Sequence, residues 1–288
     1  MSGIVITGYA SLDHVIVLDG DVRSGRTTTI TRRPEKAWPR LGGGPAYVAA
    51  AIAARHDGKV VAVSWVGEDN QGEVYREQLR QAGLSVDGIA AVPGARTPVS
   101  VLAYDPQGDC ACLYDPGLPA ELTLDENQRR LVREADFVCI TIGPKAITDE
   151  LIDLIDDRQI LVWIVKNDPR AITPEQTAWL AARADAIFCN GREKAFLEQS
   201  RPTGQAIRAG QLIVETQGRS GASFHRDGIS HFVAAEPVDV TDPTGAGDTF
   251  AGGVLAAMMN GSTDLESLGR SGIAAARALL DERLSEES

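Results

Sequence analysis

Along most of the chain, short apolar runs alternate with stretches of helical spacing. Ile4-Val5-Ile6 is an uninterrupted apolar run that stops at Gly8, the pattern of a strand buried on both faces that ends in a turn. Shorter strands are expected over 13–20 and 27–33, the second rich in threonine. Gly42-Gly43-Gly44-Pro45 then leads into an alanine-rich helix over 46–55, with Pro45 in a first turn where a missing N–H costs nothing. A strand over 60–66 and a helix over 71–82 follow. After them comes a hairpin of 98–105 and 109–115, turning at Pro106-Gln107-Gly108. Further strands are expected over 137–142, 160–165, 186–189 and 212–215, with helical periodicity between them. Such strand–helix alternation implies a mostly parallel sheet covered by helices on both faces.

Two regions, about 12–40 and 96–117, break the alternation because they are β-rich with no helix between strands. They are expected to pair as a small accessory sheet standing over the main one. No repeat, low-complexity linker or Pro/Ser-rich hinge divides the chain. The expectation is therefore one α/β domain over 1–288 carrying a β lid.

Charge and composition narrow the function classes. A net charge of −12 disfavours a broad interface with a phosphate backbone, so nucleic acid is not an expected partner. Arg32, Arg33, Lys36 and Arg40 form a local basic cluster, read either as a solvated loop or as a grip for an anionic substrate group. No apolar run approaches the roughly 18 residues of a membrane span, and no basic segment precedes an apolar one at the N-terminus. No membrane association is expected. Cys110, Cys112, Cys139 and Cys189 form no CxxC pair, which suits a reducing cytoplasm. Cys110 and Cys112 share a strand face by simple alternation, and the histidines have no metal-ligand spacing.

The segment that carries chemistry is Val240-Thr241-Asp242-Pro243-Thr244-Gly245-Ala246-Gly247-Asp248-Thr249-Phe250, running into a small-residue helix. Gly245, Ala246 and Gly247 let a backbone come close to a ligand and aim N–H groups at it. The helix behind them adds its positive end, so an anion is the expected occupant. Asp248, in the first turn, either caps the helix or accepts the proton of an attacking hydroxyl. A positive φ is expected within this loop, with Gly247 a candidate for it. The chain has no GxxxxGK[ST] loop, and no GxGxxG follows the first strand.

Asp242-x-Thr244-Gly245-Ala246-Gly247-Asp248-x-Phe250 resembles the C-terminal signature of the ribokinase-like, or phosphofructokinase B (PfkB), family of carbohydrate kinases. The likeness extends over most of the chain. Gly42-Gly43-Gly44-Pro45-Ala46 resembles the family's di-glycine signature, and Val66-Gly67-x-Asp69-x-x-Gly72 the segment after it. Asn190-x-x-Glu193 is similar to the NxxE motif, and Thr216-Gln217-Gly218-x-x-Gly221 to the nucleotide loop. These five motifs stand in the family's order, which is far more specific than any one of them.

The resemblance implies a ribokinase-like α/β fold and a cytoplasmic, ATP-dependent phosphotransferase using magnesium. The acceptor would be a hydroxyl, expected to be a primary alcohol, of a sugar or nucleoside. Asp248 would be the base and Gly245, Ala246 and Gly247 the anion hole. Asp13, Gly42, Gly43 and Tyr47 would hold the acceptor. Asn190, Thr216, Gly218 and Gly221 would line the ATP site, with Glu193 organising magnesium through water. The lid would close over the site to exclude water, and its outer face could pair two subunits.

Departures from the family pattern leave questions. Tyr47 stands where many members have a sugar-binding Asn; it still offers a hydroxyl, but it is bulkier. Val165-Lys166-Asn167-Asp168-Pro169-Arg170 resembles a DPNxR stretch with Lys166 at the Asp position, and the resemblance gives Lys166 no role. Asp242 and Thr244 match one half of a monovalent-cation site whose other half is not recognisable, and the chain stops before the family's usual Gly-Ala tail. Potassium activation is therefore not expected.

Two alternatives stay in view. One is a catalytically silent sensor of sugars or nucleosides in the same pocket, against which an intact Asp248 argues. The other is a sugar-phosphate kinase. Asp13 suits a neutral polyol, whereas the basic cluster would suit phosphate. The balance favours an unphosphorylated acceptor.

Overall fold

A computed structural model describes residues 3–34, 38–200 and 208–287. Lys36 of the basic cluster lies outside them. In chain order the first elements are β1 (Ile4–Thr7), β2 (Ser11–Leu18), β3 (Ile30–Arg32), β4 (Arg40–Gly42) and α1 (Gly44–Ala53). Then come β5 (Val60–Gly67), α2 (Asn70–Gln81), β6 (Ile89–Val92), β7 (Val99–Tyr104) and β8 (Cys110–Asp115). The middle of the chain forms α3 (Glu126–Glu134), β9 (Phe137–Ile140), α4 (Lys145–Leu154), β10 (Ile160–Ile164) and α5 (Pro174–Arg183). It continues with β11 (Ala186–Asn190), α6 (Gly191–Ser200) and β12 (Leu212–Thr216). The hairpin β13 (Gly221–Arg226) and β14 (Ile229–Ala234) and the helices α7 (Ala246–Met259) and α8 (Leu265–Glu287) complete it.

Nine strands form the main sheet in the order β14-β13-β12-β11-β10-β9-β1-β5-β6. From β12 to β6 every pairing is parallel; the β13–β14 hairpin joins antiparallel at one edge. The apolar runs behave as central parallel strands should, with successive residues feeding opposite faces. Ile4 and Ile6 pack into a core beneath α1, α7 and α8, while Val5 packs into the core on the other side with Leu131 and Leu180. Small residues let α7 sit close to its neighbours: a Cβ on Gly252 would lie 2.6 Å from the Ala51 methyl, and one on Gly253 2.5 Å from that of Ala275.

Strand order reverses between β1 and β9, so the carboxyl ends of β1, β9, β10, β11 and β12 open onto a crevice where open α/β sheets bind ligands. The second sheet has the order β3-β2-β7-β8, with β4 also paired to β2. Alternation along paired strands puts Asp13, Val15, Arg40, Ser100, Tyr104 and Tyr114 on one face. That face meets the crevice: Tyr104 Oη lies 2.6 Å from Thr244 Oγ1, and Arg40 pairs with Asp242.

The sequence reading differs from this fold in a few places. The region expected as a strand over 27–33 contributes only Ile30–Arg32, and an extra strand, β4, forms where Arg40 pairs across to Asp13. The helix expected from 46 begins at Gly44, with Pro45 in its first turn. Among the described residues no helix is long and apolar enough to cross a membrane.

Candidate active site

Gly245 is the N-cap of α7 with φ 82°, and Ala246 begins the helix. The left-handed residue of this loop is thus Gly245; Gly247 has ordinary helical geometry. The four N–H groups at the start of a helix have no partner within it. Here the Ala246 N–H is spent on the Pro243 carbonyl at 3.0 Å, which leaves those of Gly245, Gly247 and Asp248 for an anion. A Cβ on Gly247 would meet nothing within 4 Å. The space that a side chain there would enter is open.

Asp248 occupies the first turn of α7. Its Oδ1 is buried and has no hydrogen-bond partner among the described residues. A capping aspartate would have used that oxygen, and buried polar atoms are rarely left unpaired without cause.

On one side of Asp248 lies a cleft of about 440 Å³. Asn190, Thr216, Gly218 and Gly221, four residues singled out from sequence, line it together with Ala246 and Gly247. Val238, Phe250, Ile273 and Leu280 give it apolar walls. Two of those walls, Ile273 and Leu280, come from α8. Gly221, at φ 125°, could carry no side chain, since a Cβ would lie 2.1 Å from the Val233 carbonyl oxygen. This glycine also starts the hairpin of β13 and β14.

Asn190 and Glu193 bind each other. Asn190 Oδ1 accepts the Glu193 N–H at 3.0 Å, and the Asn190 N–H donates to Glu193 Oε2 at 2.9 Å, the reciprocal form of a capping box. The other carboxylate oxygen, Oε1, faces Lys166 Nζ at 3.8 Å. Burial pushes the Glu193 carboxyl up, and Lys166 pulls it only part of the way back.

On the other side lies Asp13, only 4% exposed. It accepts from Ser11 Oγ at 2.7 Å. A Cβ on Gly42 would stand 2.2–2.4 Å from all three atoms of its carboxyl group, so glycine there is what admits the carboxylate. Gly43, at φ 89°, is likewise confined, since a Cβ would lie 2.3 Å from the Tyr9 carbonyl. Burial raises the Asp13 pKa above its usual 3.8, and its hydroxyl partners and Arg40 offset this only in part.

A carboxyl whose folded pKa is raised binds protons more readily in the folded than in the unfolded chain. It therefore loses stability for the fold as pH rises through that window. Asp13→Asn should remove this slope and raise the unfolding midpoint by about 2 °C near neutrality. Acceptor affinity should fall at the same time, and a calorimetric scan with an acceptor titration checks both.

Tyr47 takes an unexpected place. Its ring packs on Gly245, where a Cβ would approach ring carbons to 2.5 Å, and its buried hydroxyl has no partner among the described residues. Burial and the neighbouring Asp13 push that hydroxyl far above the ordinary tyrosine range. It acts as a buried floor for the anion loop.

Asp242 and Thr244 bind within the protein. Arg40 pairs with Asp242 Oδ2, and the Thr244 N–H donates to Asp242 Oδ1 at 3.0 Å. Burial alone would raise the Asp242 carboxyl, but the Arg40 guanidinium and the hydrogen bonds from Thr244 together outweigh it and hold the pKa low. Arg40 reaches Glu286 at 3.3 Å as well. A built-in cation thus already serves this carboxylate. Turnover should be the same in potassium chloride and in tetramethylammonium chloride at equal ionic strength; severalfold activation by potassium would contradict this reading.

Arg32, Arg33 and Arg40 of the basic cluster line one small pocket with Arg283, where Asp242 and Glu286 offset them. Arg40 is committed to Asp242, and the Arg33 guanidinium stacks 4.4 Å from the centre of the Trp38 ring.

The model of the pfkB carbohydrate kinase family matches residues 1–287. An ATP-dependent ribose-1-phosphate kinase of Halopiger xanaduensis is 28% identical over 246 residues, covering 82% of each chain. A nucleoside kinase of Methanocaldococcus jannaschii superposes with a TM-score of 0.77 at 19% identity, over 99% of both chains. A ribokinase of Cryptococcus neoformans, solved with ADP, gives 0.77 at 20% identity over 96% of this chain and 93% of its own. At these identities the two structures speak for the fold.

Proposed function

The chain belongs to the pfkB family of carbohydrate kinases, and from that premise we propose that it moves the γ-phosphoryl group of ATP to a hydroxyl of an unphosphorylated sugar or nucleoside. The observation that carries this reading is the buried, unpartnered Asp248 Oδ1 beside free amides at the start of α7, with the large cleft on one side and Asp13 on the other.

In this reading Asp248 orients and deprotonates the acceptor hydroxyl, while the amides of Gly245 and Gly247 hold the transferring oxygens. Asp13 accepts from vicinal hydroxyls, with Gly42 and Gly43 bringing the backbone alongside. The cleft beside Thr216, Gly218 and Gly221 takes ATP, its base against the apolar walls. Magnesium would neutralise and orient the phosphates, with Asn190 and Glu193 reached through water. No group of three metal-ligating side chains occurs among the described residues, a donor set that fits an ion held mainly by phosphate and water.

The small sheet, residues about 12–40 and 96–117, acts as the lid. Its contacts with the anion loop, Tyr104 to Thr244 and Arg40 to Asp242, couple closure to assembly of the site and exclude water as a competing acceptor. The pairing of Arg40 with Asp242 and the carboxylate at Asp13 favour a neutral acceptor. ADP release should be fastest with a free sugar or nucleoside. Faster release with ribose-1-phosphate or another sugar phosphate would overturn the acceptor class and leave the phosphotransfer intact.

A further inference from the structure

Resting on that reading of the site, we propose that Lys166 is a further catalytic residue, its ammonium binding the γ-phosphoryl group of ATP from a seat between Glu193 and Asp248. Lys166 follows β10 at the carboxyl edge of the main sheet, where the ligand crevice opens. Its Nζ stands 3.8 Å from Glu193 Oε1, and its side chain is 42% exposed. That separation is beyond a direct hydrogen bond, so the three donors of the ammonium are not consumed by Glu193. Asp248 is the strongest influence keeping Lys166 protonated, ahead of the opposing effect of burial and the further help of Glu193.

The electrostatics call for such a group. Without Lys166, the triphosphate would meet two carboxylates, Asp248 and Glu193, with magnesium and the helix amides alone to offset them. Two of the cationic neighbours are engaged elsewhere. Lys194 pairs with Glu215 at 2.7 Å, and Arg170 forks onto Asp168 at 3.1 Å through both Nε and Nη2. Lys166 holds charge where phosphoryl transfer concentrates it, and an ammonium on a flexible stem can follow the group as it moves from ADP to the acceptor. The substitution that sets this chain apart from the DPNxR pattern thus places a cation at the reacting group.

The test compares binding of magnesium AMP-PNP, which keeps a γ-phosphoryl group, with that of magnesium ADP, which lacks it. Calorimetry on the wild type, Lys166→Met and Lys166→Arg needs no knowledge of the acceptor. In Lys166→Met, AMP-PNP affinity should fall about 10–100-fold, while ADP affinity stays within about twofold and so reports an intact cleft. Lys166→Arg, which keeps the charge, should recover most of the lost affinity. Equal losses for both nucleotides, or unchanged AMP-PNP binding, would overturn the assignment; if Lys166→Met does not fold, Lys166→Gln supplies the same comparison. Failure of the wild type to bind either nucleotide would instead sink the phosphotransferase reading on which the assignment rests.

Discussion

Asp248→Asn is expected to lower turnover by about 10²–10⁴-fold while leaving nucleotide affinity and the unfolding midpoint nearly unchanged. The amide has the same shape and keeps an acceptor at the start of α7, so the first helical turn survives. What it lacks is the capacity to take a proton. Oδ1 is buried and unpartnered, so no existing hydrogen bond is lost with the charge. A helix-capping role would show the opposite pattern, with loss of stability and retained turnover. Steady-state kinetics and a thermal scan on one preparation separate the two.

Gly247→Val should give an equally inactive protein for a different reason. A Cβ at this position meets nothing within 4 Å, and its backbone is helical, so the variant should fold with a near-normal midpoint. The same open space is where phosphoryl oxygens must approach the Gly247 amide, and a branched side chain would fill it. Turnover should fall at least about 10²–10³-fold, the usual cost of losing an oxyanion donor. An active Val variant with wild-type AMP-PNP affinity would show that the phosphoryl group lies elsewhere. Substitution at Gly245 is a poorer probe, because its φ of 82° and the Tyr47 ring would disturb the fold as well.

Much of this architecture is written locally. Runs such as Ile4-Val5-Ile6, or the strand that became Ile160–Ile164, have no exposed face to encode, so uninterrupted apolarity identifies them. The motif glycines are legible for a related reason, since Gly42 and Gly221 sit where a Cβ would strike a neighbour. The strands of the β13–β14 hairpin were less legible than its glycines, because Gly221-Ala222-Ser223-Phe224 mixes small, polar and apolar residues beside the sheet edge.

Nor could local pattern reveal partners far apart in sequence. Arg40 and Asp242 are 202 positions apart, and Tyr104 and Thr244 are 140 apart. The basic cluster read as one feature stays together in the fold, but Arg40 within it pairs with a carboxylate and Arg33 stacks on Trp38. Local pattern could not show that the Tyr47 ring also packs on Gly245 of the anion loop. Lys166 carried no signal beyond its departure from a motif; only the convergence of β10, α6 and α7 places it beside Glu193 and within the field of Asp248.

The central claim is that this site transfers phosphoryl groups to a hydroxyl through Asp248. Phosphorus NMR of magnesium ATP incubated with the protein and a mixture of free sugars and nucleosides tests it directly. A new phosphomonoester resonance should grow in step with ADP for the wild type and be absent over the same period for Asp248→Asn. No phosphomonoester with any acceptor, or an equal yield from the variant, would contradict the account.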